Sequence, residues 1–249
     1  MKIGIIGAGN IGSTLARKLV AAGHLVKLAG SKGPAEIQSL ADRIGAIAGT
    51  SQQATENVEV IVLSIPFASI PEVARVFANV AQNVIVIDTS NYYPQFGTPI
   101  PEVDAGKPES VWSSEQLGRP VVKTFNAALA KTLADRGKSR GAEDRIAMPV
   151  SGESSSSKAV VSELINDVGF EPFDAGDLAL SWRHQPGTPA YCTELTLPKL
   201  ELALNQAVRD LAPQNRDALM SEFAAAESPL DHDTVIKRNR EVTAPSSIA

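Results

Sequence analysis

Apolar and polar positions follow two different rhythms along the first half of the chain. Short, almost continuous apolar runs predict buried parallel strands, and they lie at residues 2–6, 25–29, 46–48, 59–64 and 83–87. Between these runs apolar residues recur at helical spacing, and Ile11, Leu15 and Leu19 predict a first helix. Pro34 fits the first turn of a second helix, and a third is expected near residues 70–80. Strands that alternate with helices predict an α/β fold with a doubly wound, mainly parallel sheet.

The second half of the chain is less regular. Residues 92–118 contain several prolines, and we expect them to form a surface excursion. Three strands are then predicted at residues 120–125, 145–150 and 171–173, and a helix is predicted at residues 156–168. Residues 191–211 are expected to be helical with an interruption at Pro198, and the polar remainder to be a tail or a dimer arm. The pattern predicts a main domain at 1–175 and a small helical cap with a tail at 176–249.

Composition and charge narrow the classes of function. The 249 residues are 43% hydrophobic and 20% charged, which is typical of a globular protein. A formal net charge of -5 argues against a nucleic-acid partner, because phosphate binding requires a basic surface. The apolar runs are too short to span a bilayer, and no signal core follows Met1, so we expect a cytoplasmic protein without a membrane partner. Cys192 is the only cysteine, which excludes an internal disulfide and a cysteine-rich metal site.

A glycine motif lies directly after the first predicted strand. It matches G-x-G-x-x-G and opens a helix, which is the context in which this motif binds a dinucleotide. The first glycine allows the tight turn, the second lets the main chain approach the pyrophosphate, and the third lets helix and strand pack closely. The helix N-terminus adds free N–H groups for the phosphates. The sequence therefore predicts a Rossmann-type domain, unless the glycines serve packing alone, with cofactor contacts from Gly7, Ala8, Gly9, Asn10, Ile11 and Gly12.

The residues after the second predicted strand bear on the choice between NADP and NAD. An NAD-binding protein usually has Asp or Glu there, whereas this chain has Ser31 and Lys32 and no acid before Glu36. A hydroxyl and an ammonium attract the 2′-phosphate of NADP, which a carboxylate would repel. Ser31 and Lys32 therefore predict NADPH rather than NADH. The alternative is a lysine that is merely solvated in a turn.

With these motifs the sequence resembles the coenzyme F420-dependent NADP oxidoreductase family, the deazaflavin reductases. The ferric-reductase domains of the STEAP membrane proteins are similar relatives. The resemblance covers about the first 175 residues, and the hexapeptide Val-Val-Lys-Thr-Phe-Asn at 121–126 is its most specific part. Residues 92–118 and the segment after Ala175 are longer than the family pattern, which leaves the second substrate open. The other matching segments are at 7–12, 31–32, 63–66 (Leu-Ser-Ile-Pro) and 88–91 (Asp-Thr-Ser-Asn).

The resemblance implies further cofactor contacts, all in loops at the carboxyl ends of strands. Ile65 and Pro66, with Ser64 before them, would border the ribose and the nicotinamide side of the cofactor. Asn91 would contact the nicotinamide half, and the turn from Asn126 to Ala130 would line the pocket for the ring. The alternative for each of these segments is plain packing.

Acid–base chemistry has no clear candidate in the sequence. The Tyr-x-x-x-Lys pattern of short-chain dehydrogenases fails at all three tyrosines, and no His, Cys and Glu residues have the spacing of a metal site. We therefore predict no catalytic side chain and no metal ligand. Hydride transfer between two redox coenzymes fits this absence, because the protein then chiefly orients two rings and excludes water. Residues 182–189 could line the acceptor, or form a cap loop with Trp182 in the core and His184 in solvent.

Three hypotheses about function follow. The first is an NADPH-dependent oxidoreductase that passes hydride to a deazaflavin such as F420 or to a flavin-like coenzyme, or through one to metal ions. The second is an NADP-dependent dehydrogenase or imine reductase of a small organic substrate. The third is a non-catalytic NADP(H)-binding sensor. In each case we expect a small-molecule partner and a homodimer.

Overall fold

A computed structural model describes residues 1–243, which contain eight strands. These are β1 (Lys2–Ile6), β2 (Leu25–Ala29), β3 (Ile47–Gly49), β4 (Val60–Leu63), β5 (Ile85–Asp88), β6 (Val122–Lys123), β7 (Ala147–Val150) and β8 (Glu171–Asp174). The first six form a parallel sheet in the order β3-β2-β1-β4-β5-β6, and β7 pairs with β8. An antiparallel bridge between Lys123 and Ser151 joins the pair to the main sheet. The predicted doubly wound sheet is confirmed, and its winding reverses between β1 and β4.

Helices pack on both faces of the sheet. They are α1 (Asn10–Ala21), α2 (Pro34–Ile44), α3 (Ser51–Thr55), α4 (Ile70–Val73), α5 (Pro101–Asp104), α6 (Glu109–Leu117), α7 (Ala130–Asp135), α8 (Ser155–Asp167), α9 (Leu197–Gln206), α10 (Ala212–Ala225) and α11 (His232–Thr243). Short 3-10 turns flank α4, so the helix expected at 70–80 is only partly α-helical. Within residues 1–243, no helix has the length and apolar character needed to cross a bilayer.

The central strands bury both of their faces, because successive side chains of a strand point to opposite sides of the sheet. In β4, Val60 and Val62 belong to one apolar cluster, which includes side chains of α1 and α8. Ile61 and Leu63 belong to a second cluster on the other side, with side chains of α4 and α6. Two apolar layers therefore hold the sheet and position the loops at its carboxyl edge.

The segment 92–118 is only in part the surface excursion that the sequence indicated, since residues 95–99 are exposed but other side chains enter the core. Trp112 is buried and stacks on Phe67, with ring centroids 4.8 Å apart. The prolines start helices here, since Pro101 opens α5 and Pro108 immediately precedes α6, and proline is tolerated at such positions. The segment contributes further side chains to the second apolar cluster, namely Tyr92, Val103 and Leu117.

The C-terminal part is helical, as predicted, but its helices lie at other positions than expected. The helix expected at 191–211 begins only at Leu197, because Pro198 fits its first turn and not its interior. The expected polar tail beyond residue 211 instead forms α10 and α11, which pack against each other, and Ile236 of α11 is buried. Residues 244–249, the end of that predicted tail, lie outside the described residues.

Candidate dinucleotide-binding site

The glycine-rich turn between β1 and α1 is closely packed at two of its three glycines. Gly7 has a φ of +111°, which glycine adopts without strain, and a Cβ atom on it would lie 1.9 Å from the carbonyl oxygen of Ser64. A Cβ atom on Gly12 would lie 1.9 Å from the carbonyl oxygen of Gly7. Neither position has room for a side chain. This is what the tight turn and the close contact between helix and strand require.

Gly9 differs, because a Cβ atom on it would meet no protein atom within 4 Å. It precedes the first residue of α1, whose N-terminus has no side-chain cap and no acidic residue in its first turn. The free N–H groups of Asn10, Ile11 and their neighbours therefore face open space. The turn fits a dinucleotide pyrophosphate, which would take both the space and the N–H groups.

Ser31 and Lys32 lie in the exposed loop that follows β2. The ammonium of Lys32 is 3.2 Å from a carboxylate oxygen of Glu36, and the Lys32 side chain is 79% exposed. A pair so exposed contributes little, so the ammonium is free to turn toward a bound phosphate. Glu36 is nevertheless a competing partner for this cation.

The segment 64–66 lies directly beside the glycine turn. Ser64 donates its main-chain N–H to the carbonyl oxygen of Ile6 over 2.8 Å. A Cβ atom on Gly7 would be 3.2 Å from a methyl carbon of Ile65, and Pro66 is exposed. The structure thus brings Ser64 and Ile65 against the turn, at the point where the winding of the sheet reverses.

Asn91 and Asn126 meet at the carboxyl ends of β5 and β6. The amide of Asn91 donates to the main-chain oxygen of Asn126 over 3.1 Å, and the amide of Asn126 donates to Oδ1 of Asn91 over 3.2 Å. Ala130 begins α7 just beyond this pair. The ends of β2 and β5 are three strand spacings apart, about 14 Å. An extended dinucleotide can bridge that distance from Lys32 to Asn91.

A buried charged cluster, which the sequence did not reveal, lies behind Asn91. Lys123 is fully buried, and its ammonium donates to the main-chain oxygen of Ser90. It is 3.4 Å from a carboxylate oxygen of Glu109 and 3.8 Å from one of Asp88. Asp88 also accepts hydrogen bonds from the hydroxyls of Ser90 (2.5 Å) and Ser110 (2.6 Å). The cluster fixes the main chain just before Asn91.

The two carboxylates of this cluster titrate in opposite directions. Burial raises the pKa of Glu109 to about 7, although the Lys123 ammonium opposes this. Burial would also raise the pKa of Asp88, but Lys123 and the hydrogen bonds from Ser110 and Ser90 outweigh it and hold that pKa below its usual range. Asp88 therefore carries the more permanent charge.

His184 is fully buried. The alternative from the sequence that placed its side chain in solvent is therefore wrong. Its Nδ1 is 3.1 Å from Oδ1 of Asn126, its Nε2 is 2.9 Å from the hydroxyl of Ser151, and its main-chain oxygen accepts from Asn126 over 2.7 Å. Burial, with Lys123 and Arg183 acting in the same direction, lowers the pKa of His184 to about 3. The imidazole is therefore neutral at physiological pH.

A mainly apolar cavity of about 270 Å³ has Tyr93 and Leu129 in its wall, just after Asn91 and Asn126 in the sequence. The hydroxyls of Tyr93 and Tyr191 share a hydrogen bond of 2.8 Å in its wall, and the main-chain N–H of Cys192 donates to the oxygen of Ala127. Burial raises the pKa of both tyrosines and raises that of the Cys192 thiol to about 12. The rest of the wall is mostly apolar and includes Phe96, Leu129, Leu219, Met220 and Phe223.

No local signal in the sequence identifies the missed residues. Asp88 and Lys123 belong to segments that resemble the family, but one follows a predicted strand and the other lies inside one, which gave no reason to expect a charge cluster. His184 lies 58 residues from Asn126 along the chain, and no local pattern connects the two. Buried contacts between distant segments leave no periodic mark in a sequence.

A parallel sheet whose glycine turn leads into a helix, at the reversal of strand order, defines a dinucleotide-binding protein of the Rossmann class. Residues 2–92 match the family described as "NADP oxidoreductase coenzyme F420-dependent". Over 105 residues the chain is 30% identical to the Escherichia coli (strain K12) protein YjhV, which corresponds to 42% of this chain and 77% of YjhV. This chain belongs to the family of coenzyme F420-dependent NADP oxidoreductases.

Solved structures share the fold of this chain. A hypothetical protein of Sinorhizobium meliloti, SMa0349, shares 33% sequence identity with a TM-score of 0.68, and the match covers 78% of this chain and 95% of that one. A protein of Arthrobacter sp. FB24, provisionally named an F420-dependent NADP reductase, has 24% identity and a TM-score of 0.61 over 73% of this chain and 87% of its own. The second likeness concerns the fold alone. The chain is therefore an NAD(P)-dependent oxidoreductase.

Proposed function

We propose that this protein transfers hydride between NADP(H) and a deazaflavin, such as F420, or a flavin-like coenzyme. The observation that supports this most is the mainly apolar cavity whose wall includes Tyr93 and Leu129, which closely follow Asn91 and Asn126 in the sequence. Its hydroxyl and thiol groups all keep their protons at neutral pH, since burial raises the pKa of Tyr93, Tyr191 and Cys192. A cavity lined mainly by apolar side chains suits the binding of a ring, and the ring needs no proton transfer from this wall.

The residues of this chain have distinct tasks in the proposed reaction. The N-terminus of α1 holds the pyrophosphate, with Gly9 leaving room for its approach. Asn91 orients the carboxamide of the nicotinamide, and the buried Asn126 keeps the Asn91 side chain in place. The cavity wall around Tyr93 excludes water and stacks the acceptor ring. When bound, the reduced nicotinamide supplies the hydride.

We also propose that NADPH is preferred over NADH because Ser31 and Lys32 bind the 2′-phosphate. Replacing Lys32 by Asp should weaken NADPH binding by about 10- to 100-fold, the range expected for a charge-assisted hydrogen bond lost and a repulsion gained. NADH binding should change little. Isothermal titration with both nucleotides measures the two affinities.

Glu36→Gln is the matched control for Lys32→Asp. It removes the competing carboxylate 3.2 Å from the Lys32 ammonium, and we expect slightly tighter NADPH binding. Equal weakening of NADPH and NADH by Lys32→Asp would contradict the assigned role of this lysine.

The acceptor is tested by following NADPH oxidation with F420, FMN or FAD added. Faster oxidation with one of these rings than without it would support the proposal. Oxidation only with small carbonyl or imine compounds would favour the second hypothesis, for which the hydrogen-bonded Tyr93 and Tyr191 hydroxyls offer a possible proton donor. Tight NADPH binding without oxidation by any acceptor would indicate a sensor.

Two further expectations belong to the same proposal. Onward transfer from a flavin-like ring to metal ions follows only from the likeness to the STEAP domains, and reduction of ferric ion in the presence of NADPH and FAD tests it. A homodimer is expected on general grounds, and sedimentation equilibrium of the full chain measures the mass directly.

A further inference from the structure

A chain of buried hydrogen bonds runs from the candidate nicotinamide contact into the protein interior. It connects Asn91, Asn126, His184 and Ser151 in that order. Asn126, His184 and Ser151 are each at most 3% exposed, whereas Asn91 is partly accessible. The chain therefore has one end at the cofactor site and the other in the core.

The orientation of the Asn126 amide is determined by its neighbours. Its nitrogen lies 3.2 Å from Oδ1 of Asn91 and 2.7 Å from the main-chain oxygen of His184, both of which are acceptors. A flipped amide would place Oδ1 against these two oxygens and leave three acceptors facing one another without a proton. The Oδ1 atom of Asn126 must therefore face Nδ1 of His184, as observed at 3.1 Å.

This orientation also determines the tautomer of His184. Because Oδ1 of Asn126 can only accept, Nδ1 of His184 must carry the proton. The Nε2 atom of the neutral ring is then an acceptor, and the hydroxyl of Ser151 donates to it over 2.9 Å. Ser151 itself is held by two main-chain hydrogen bonds to Lys123. Each side-chain polar atom that takes part in this series of hydrogen bonds thus has a defined role as donor or acceptor.

We infer that His184, supported by Ser151, is a positioning residue that fixes the Asn126 amide and, through it, directs a free N–H of Asn91 toward the carboxamide of the nicotinamide. This inference rests on the proposed function of the site. The Asn91 amide has two hydrogens, one of which donates to the main-chain oxygen of Asn126. The other can donate to a carboxamide oxygen only while Asn126 holds the side chain in place.

The test compares two replacements of His184 whose side-chain amides reach different positions. In His184→Asn the side-chain amide can take the place of Nδ1 and donate to Asn126; in His184→Gln it reaches the position of Nε2, toward Ser151. NADP⁺ probes the whole site, and adenosine 2′,5′-bisphosphate probes the adenosine half alone. We expect His184→Gln to raise the Kd for NADP⁺ about tenfold, the size of one net hydrogen bond lost. His184→Asn should largely restore it, and the bisphosphate Kd should stay within about twofold in both variants.

Two further variants complete this test, one as a fallback and one as a control. Ser151→Ala removes only the hydrogen bond behind His184, so it should raise the NADP⁺ Kd by a smaller factor, and it decides the question if the His184 variants fail to fold. Thr193→Val removes a different buried hydrogen bond, from the Thr193 hydroxyl to the oxygen of Pro189. This control should lower thermal stability without changing the ratio of the two Kd values.

The possible outcomes separate the two claims. A wild-type chain that binds the bisphosphate but gains nothing from the nicotinamide half would overturn both the proposed site and this inference. Normal NADP⁺ binding by the wild type, with the same Kd ratio in His184→Gln, His184→Asn and Ser151→Ala, would overturn the inference alone. Equal losses for both probes would also overturn it, since they would indicate a general structural role.

Discussion

The two ends of the candidate site are built in different ways. At the adenosine end, main-chain groups and small or exposed residues do the work, with the Gly7–Gly12 turn and a Lys32 side chain that is 79% exposed. At the nicotinamide end, buried side chains from distant segments support Asn91, among them Lys123 and His184. The first end is local in sequence, whereas the second depends on tertiary contacts. Changes to Lys32 or Gly9 should therefore affect binding with little effect on folding, and changes to the buried side chains of the nicotinamide end should affect both.

The largest effect is expected from breaking the buried cluster. Replacing Lys123 by Met leaves Asp88 and Glu109 buried without their cation, which should lower the free energy of unfolding by about 3–5 kcal/mol. Urea unfolding at pH 7 measures this change. The exposed Lys32 offers a matched control, and Lys32→Met should change stability by less than about 0.5 kcal/mol. Similar losses for both variants would remove the distinction between the two ends.

The second effect tests the adenosine end by itself. Gly9→Val adds a side chain where no protein atom lies within 4 Å, at a φ of -71° that valine accepts. The fold should survive with a stability change below about 1 kcal/mol. The affinity for NADP⁺ should fall by about 10- to 100-fold, because the pyrophosphate can no longer reach the N–H groups of α1. Gly12→Ala serves as the contrast and should destabilise the fold. A Gly9→Val protein that binds NADP⁺ normally would contradict the assignment.

The third effect is a pH dependence of stability at the nicotinamide end. The folded-state pKa of His184 is about 3, below its unfolded value of about 6.5, so the unfolded chain binds more protons between these values. This group therefore lowers the free energy of unfolding as pH falls below 6.5, with a slope approaching about 1.4 kcal/mol per pH unit. Glu109, whose folded pKa is about 7, has the opposite sign between pH 7 and its unfolded value.

Comparing wild type with His184→Asn isolates the histidine, because Glu109 and the other acids are common to both proteins. The free energy of unfolding of the wild type minus that of the variant should decrease as the pH is lowered from 6.5 to 4.5. Denaturant midpoints at several pH values provide the measurement. A difference that does not change with pH would mean that His184 is not buried as a neutral ring.

The two ends of the site also differ in how far the sequence predicts them. The strands, the glycine turn and the helices α1, α2 and α8 could be predicted because period and turn chemistry are local. The cluster of Lys123, Asp88 and Glu109 could not, because its members approach only when β5, β6 and α6 pack together. The prediction for residues 92–118 was partly wrong for a related reason. Their prolines start helices, and the apolar side chains of these helices can be recognised as core only when they pack against residues such as Phe67.

The 2.7 Å hydrogen bond from Asn126 to the main-chain oxygen of His184 has a consequence for protein engineering. It crosses from the sheet to the segment after residue 175, so the C-terminal segment acts as a structural part of the nicotinamide end. A chimera that exchanges this segment for that of a relative would keep the glycine turn unchanged. It would hold the ring correctly only if the incoming segment also presents an acceptor and a donor to Asn126. Compatibility at this one amide is therefore the first criterion for recombining these proteins.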